Sequence, residues 1–346
     1  MAATGALLLA AALAAPPPVR VVTTLTTYAA IAREVGGERA TVTAVAQGDE
    51  DPHFVQPRPS FVPLLRGADL FVTTGMDLEL WVPALLDRAG NPRVREGGPG
   101  YVPAWPGIRL LEVPASFSRA QGDIHVLGNP HIHTDPVNAI LISRNILAGL
   151  QRVDAAGADY YAERQRDFEL RVLRATFGEE LVRILTPAAL LDLARSDRLL
   201  DFLARTPFQG QPLLARLGGW MADALPFRGR EMVCYHKEWA YFSARFGVTC
   251  VDFIEARPGI PPTPRHVQEV MTRMRERRVP VIFSSNYYDR NQIAEIAQRT
   301  GATAVIVTEN TEGAPGVSTY FDLVASWIAA LHRGFGTGTM RRPGHP

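Results

Sequence analysis

The feature that most narrows the fold is an alternation of short β-branched runs with helical stretches. It occurs twice, on either side of more than forty residues that carry helical spacing and almost no strand signal. The first block opens with Val19-Arg20-Val21-Val22-Thr23-Thr24, continues with a helical stretch over 28–35 that stops at Gly36-Gly37, and has a second β-branched run over 40–45. A helix around 60–66, a strand at 70–74 and a helix over 80–88 extend it. In the second block, strands at 231–235, 248–253, 279–284 and 304–308 alternate with helices at 239–246, 265–277, 290–299 and 319–332. Strands separated by helices pair in parallel, with the helices covering both faces of the sheet.

The fold class expected is therefore α/β: two lobes, each a mainly parallel sheet flanked by helices, joined by a long connecting helix. The helical stretch from 135 to about 177, broken only near 153–157, is long enough to run down one lobe and cross to the next. The boundaries expected are an N-terminal lobe over 19–150, a connecting helix over 151–177 and a C-terminal lobe over 218–335. Residues 178–217 are Leu-rich and helix-like, and are read as an insertion packed on the surface of the second lobe. No internal repeat is visible.

With 346 residues, 47% of them hydrophobic and 21% charged, the chain can bury two moderate cores. A formal net charge of +1 with no basic block gives no electrostatic footprint for nucleic acid, and Arg341-Arg342 is read as a solvated end. Residues 2–15 are apolar, lack a positive flank and precede Pro16-Pro17-Pro18. They fit a secretory signal over 1–14, too short to span a bilayer, with an apolar N-terminal helix as the alternative. No cysteine lies near that point, so a free periplasmic protein without a lipid anchor is expected. Only Cys234 and Cys250 occur, which excludes a zinc cluster built of four thiolates. They fall on two expected strands either side of one helix, so a disulfide is geometrically open to an exported chain.

Three of the eight histidines sit where a strand meets a loop or helix: His53 after Asp51-Pro52, His131 after Asn129-Pro130, and His236 after Cys234-Tyr235. Open α/β sheets bind ligands beyond the carboxyl ends of their strands, and imidazole suits zinc, copper or nickel. A single histidine so placed is more often a surface or capping residue, but three together are harder to dismiss.

The strings Gly48-Asp49-Glu50-Asp51-Pro52-His53 with Pro57, Gly128-Asn129-Pro130-His131 with Asp135-Pro136, and Tyr235-His236 with Tyr241-Phe242 and Phe246-Gly247 resemble the zinc/manganese class of ABC-transporter solute-binding proteins (cluster A-I). The resemblance covers 19–333 apart from 178–217. It implies two lobes joined by one long helix, with metal at their interface. His53, His131 and His236 match three of that family's ligand positions. Histidine at the third position implies zinc as the transported ion, with manganese as the alternative. The fourth family ligand is usually an aspartate after the last strand. Here Val307-Thr308-Glu309-Asn310 offers Glu309, with a solvated loop glutamate, and water as ligand, as the other reading.

His125 and His133 flank His131 and are read as loop residues in preference to an accessory loading site. In an extended segment His133 would face away from His131 and make a poor co-ligand. His266, His332 and His345 are read as structural or solvated. Glu50, Asp51 and Asp135 are candidates to orient the imidazoles, Asp135 more plainly as a helix N-cap before Pro136.

The function expected is capture of a divalent transition metal for an ABC importer, by a monomer that delivers it to the inner-membrane permease, with a metallochaperone as a further candidate partner. The rivals are a zinc-dependent hydrolase and a metal-stabilised adhesin. No His-Glu-x-x-His or Gly-x-Ser-x-Gly pattern is present to support an enzyme.

Overall fold

Strand β1 (Val19–Thr23) has Val21, Val22 and Thr23 buried, the mark of a strand covered on both faces. The computed structural model, which describes residues 16–114 and 125–337, places it inside a parallel sheet. The expected signal over 1–14, Arg341-Arg342 and His345 lie outside the described residues. The N-terminal lobe continues with α1 (Thr26–Gly36), β2 (Ala40–Ala44), α2 (Phe61–Arg66), β3 (Leu70–Thr73), α3 (Val82–Ala89), β4 (Tyr101–Pro103) and α4 (Pro136–Val153). Then come α5 (Ala158–Phe177), α6 (Glu179–Ile184), α7 (Pro187–Arg195), α8 (Leu199–Arg205), a small hairpin of β5 (Pro207–Phe208) and β6 (Gln211–Pro212), and α9 (Gly219–Ala224). The C-terminal lobe holds β7 (Glu231–Cys234), α10 (Ala240–Phe246), β8 (Thr249–Phe253), α11 (Pro264–Arg277), β9 (Val281–Ser285), α12 (Arg290–Thr300), β10 (Thr303–Val307) and α13 (Tyr320–Phe335).

The two large sheets have the orders β2-β1-β3-β4 and β10-β9-β7-β8, and every pairing within them is parallel. Numbered within its own lobe, each sheet reads 2-1-3-4. The lobes are thus topological copies, a repeat that no sequence similarity between the halves had shown. Cys234 and Cys250 are bonded across the neighbouring strands β7 and β8.

The helical stretch between the lobes folds back on itself. α4 stops at Asp154, whose carboxylate receives Arg39 Nη2 at 2.7 Å and Tyr161 Oη at 2.7 Å. The pairs Ser143–Gln165, Arg144–Glu169 and Gln151–Ala158 then zip α5 antiparallel to α4. Only α5 crosses, and at 1.5 Å per residue its 20 residues reach roughly 30 Å. Its Phe168 ring meets Tyr320 and Phe321 of α13, so one hydrophobic core runs from Val19 through α4 and α5 to Phe335.

The insertion differs from its expected place. It lies against α4 and α5 and touches both lobes, not only the second. Arg195 Nη2 donates to the Gly107 carbonyl at 3.0 Å, Arg109 pairs with Asp197, and Arg245 Nη1 from α10 donates to the Ala194 carbonyl at 3.0 Å. Arg245 also forms a two-pronged pair with Asp135, at 2.9 and 2.8 Å, across the lobe boundary. Asp135 caps α4 as well, accepting from the Val137 amide, so the expected cap is present.

The lobes touch backbone to backbone at two glycines. A Cβ on Gly48 would stand 2.2 Å from the Thr311 carbonyl oxygen, and one on Gly313 would stand 2.3 Å from that of Gly48. Residues 308–311 are held beside them: Thr27 Oγ1 donates to Asn310 Oδ1 at 2.8 Å, and Thr26 Oγ1 to the Thr311 carbonyl at 2.5 Å.

The Asp135–Arg245 pair generates a test. Removing one partner of a largely buried pair leaves the other uncompensated and costs about 3–5 kcal/mol. Arg245→Ala is expected near the lower end of that range, because both side chains keep about a tenth of their exposure. Urea unfolding measures it, and a cost below about 1 kcal/mol would place the pair among ordinary surface bridges.

Candidate metal site

Each histidine of interest stands at the carboxyl end of its sheet. At the end of β7, Tyr235 is still paired on both sides, its amide with Phe283 O and its carbonyl with Glu255 N, and His236 is the first residue past that ladder. His53 lies in the loop after β2, where Trp81 Nε1 donates to the Pro52 carbonyl at 2.9 Å. His131 opens the turn into α4, its amide donating to Asn129 Oδ1 at 3.0 Å. Asn129 Nδ2 in turn donates to the Lys237 carbonyl of the other lobe at 2.5 Å. Glu309 follows β10, and Trp327 Nε1 of α13 fixes the strand exit by donating to the Thr308 carbonyl at 2.7 Å.

The tertiary structure brings the three expected histidines together. Ring centroids lie 5.2 Å apart for His53 and His131, 5.6 Å for His53 and His236, and 6.3 Å for His131 and His236. An oxygen acceptor at each Nδ1 assigns the tautomer. His53 Nδ1–H donates to Asp51 Oδ1 at 2.7 Å, His131 Nδ1–H to Glu309 Oε1 at 2.6 Å, and His236 Nδ1–H to the Glu255 carbonyl at 2.9 Å. That leaves every Nε2 as a lone pair, and those of His131 and His236 are buried with no hydrogen-bond partner. Outer partners that fix imidazole tautomers in this way are a recurring part of metal sites.

Glu309 is fully buried, and both of its oxygens are engaged: Oε1 with His131 and Oε2 with Tyr287 Oη at 2.7 Å. It therefore stands behind His131 rather than facing the cluster centre, a place the sequence reading did not foresee. His133 Nε2 approaches the same Oε1 at 3.5 Å from the other side.

Tyr287 Oη also lies 2.8 Å from Glu238 Oε2. A phenol has one proton, so it donates to only one of the two carboxylates, and the other contact needs a proton on the carboxylate itself. Burial, then the nearby Glu309, pushes Glu238 well above the usual carboxylate range, so the Glu238–Glu309 pair holds a proton between them. Burial raises Glu309 too, while the neighbouring His133 and Tyr287 lower it.

Comparison with known proteins agrees with this geometry. The family model described as "ZnuA: Zinc-uptake complex component A periplasmic" matches residues 21–184 and 214–334. The chain belongs to the ZnuA family. Members are metal-binding, extracytoplasmic solute-binding proteins of ABC importers, which function with a permease and an ATPase and are not enzymes. Residues 185–213, outside the match, are α7, α8 and the small hairpin. Among similar proteins, the iron-binding protein YfeA of Yersinia pestis is 25% identical over 341 residues, 97% of this chain and 92% of its own length. The manganese ABC transporter substrate-binding lipoprotein PsaA of Streptococcus pneumoniae is 21% identical over 310 residues, 87% and 84% of the two chains. A manganese-bound periplasmic metal-binding protein from Candidatus Liberibacter asiaticus shares the fold, with TM-score 0.62 at 17% identity over 90% of this chain and 98% of its own.

In this ZnuA-family chain two expectations about histidines change. His125, read as a loop residue, is buried, and its Nε2 lies 3.2 Å from that of His53. Among the described residues, His53, His125 and His131 form the one group of three with a ring nitrogen each within 4.8 Å of the others. His133 is also buried, against Tyr28 and Glu309, and neither it nor His236 is in that group. His266 and His332 are structural, with ring nitrogens on the Phe253 carbonyl and on Thr337 Oγ1. Asp51 was foreseen as an orienting carboxylate, whereas Glu50 pairs with Arg58 instead. Tyr287, Glu238 and the Glu255 carbonyl were missed, and no local motif points to them.

Burial depresses the cluster's imidazoles: His236 and His133 fall to about 4 and His125 to about 2. A histidine held neutral in the fold contributes stability that is intact above its unfolded value near 6.5 and lost as pH falls toward 4. Glu238, raised by burial, acts in the opposite sense. In metal-free protein the His236 and His133 ring resonances are expected to titrate near pH 4 by NMR. Midpoints near 6.5 would mean that water reaches the rings.

Proposed function

We propose that this protein captures zinc in the periplasm as a monomer, after export by the 1–14 segment, and passes it to the inner-membrane permease of its importer. His53, His131 and His236 hold the ion through Nε2, and Glu309 steadies His131 from behind. The observation that carries this reading is that each of the three rings commits its Nδ1 to an oxygen, which leaves its Nε2 as a lone pair, while the ring centroids stand 5.2–6.3 Å apart between the lobes. The donor chemistry supports zinc. Imidazole suits zinc, while carboxylate and water suit manganese, and here the carboxylates of Asp51 and Glu309 stand behind imidazoles. The names of the family and of similar proteins cover zinc, iron and manganese, so metal choice rests on these residues.

Competition titration of zinc and manganese tests the reading. One tight zinc per chain is expected, with manganese weaker. Tight binding should disappear in His53→Ala, His131→Ala and His236→Ala. Glu309→Gln should keep the site but weaken it roughly 10–100-fold, the usual cost of losing an outer partner. Zinc binding indifferent to all three histidine changes would refute the assignment.

A further inference from the structure

The fourth coordination position is where the geometry says more than the family pattern. That pattern has a carboxylate after the last strand; here Glu309 accepts from His131 at Oε1 and from Tyr287 at Oε2, on the Nδ1 side of the His131 ring. On the other side of the cluster, His125 Nε2 lies 3.2 Å from His53 Nε2, with ring centroids 5.3 Å from His53 and 6.3 Å from His131. Zinc–nitrogen bonds are about 2.0–2.1 Å, so two ligands of one tetrahedral zinc stand about 3.3 Å apart. The His53–His125 spacing meets that requirement without rearrangement. With His53 Nδ1–H committed to Asp51, its Nε2 is a lone pair, so the His125 nitrogen facing it either carries a proton or shares a cation with it.

We propose that His125 is the fourth metal ligand and completes an all-imidazole set with His53, His131 and His236. This rests on the zinc-capture reading above and deepens it. The N-terminal lobe then supplies three nitrogens and the C-terminal lobe one. His125 and His236 together line a small pocket with Glu112, Asn129, Lys237 and Pro258, so the two rings border the same space. Four imidazoles and no oxygen select borderline cations over manganese more strongly than three imidazoles with a carboxylate or water do.

X-ray absorption of zinc-loaded full-length protein, with zinc and manganese affinities measured alongside, separates the cases. Four imidazole scatterers are expected in the unaltered protein, and three plus a light oxygen in both His125→Ala and His125→Gln. Zinc affinity should fall in both by at least the roughly 10–100-fold that losing an outer partner costs, while manganese affinity changes little and the selectivity narrows. Three imidazoles and an oxygen in the unaltered protein, unchanged by either substitution, would overturn the assignment of His125 and leave the three-histidine site standing. Failure of the unaltered protein to bind zinc would overturn both.

Discussion

The hydrogen bond from His131 of the first lobe to Glu309 of the second is the contact on which the site depends. It crosses the lobe boundary at 2.6 Å, fully buried, and fixes which nitrogen of His131 faces the cluster. Glu309 can be there only because the chain after β10 is held on every side: Trp327 grips the Thr308 carbonyl, and Thr26 and Thr27 at the start of α1 grip residues 310 and 311. The helix that closes the second lobe and the helix that opens the first thus converge on one carboxylate.

That convergence bears on how metal enters. A wide opening of the lobes would break the α1 contacts, separate Gly48 from Gly313 and split a core shared through α4, α5 and α13. α7, Arg245 and Asp135 add a second tie at the far side of the boundary. Interiors packed in this way resist continuous deformation, so access is more economically local than global. A small pocket lined by both His125 and His236 adjoins the cluster.

Burial and charge work together in the cluster. Removing the His125, His131 and His236 rings from water keeps them neutral well below their ordinary titration range, so protons compete weakly for their nitrogens. Asp51 and Glu309, each behind a ring, would balance the two charges of a divalent ion. The extra proton that the shared Tyr287 contact requires is held within the buried Glu238–Glu309 pair.

By itself the sequence determined the layered α/β architecture, because strand and helix periods are local properties. Seven of the eight strands of the large sheets fall within a few residues of expectation, and the eighth, the three-residue edge strand β4 (Tyr101–Pro103), carries too little pattern to be read locally. It also marked His53, His131 and His236, since Asp-Pro-His, Asn-Pro-His and Tyr-His stand at strand ends whose crevice is fixed by topology. Tertiary structure alone decided the rest. The matching 2-1-3-4 order of the lobes, the fold-back of α4 on α5 and the bridging place of the insertion depend on contacts between distant segments. His125 reads as a loop residue until the sheets bring it against His53, 72 positions away. Glu309 reads as a candidate ligand in the sequence, and only folding brings it against His131, 178 positions away, whose Nδ1–H donates to its oxygen. Side-chain type and spacing select a chemistry, but which atom faces the metal depends on hydrogen-bond partners that only folding supplies.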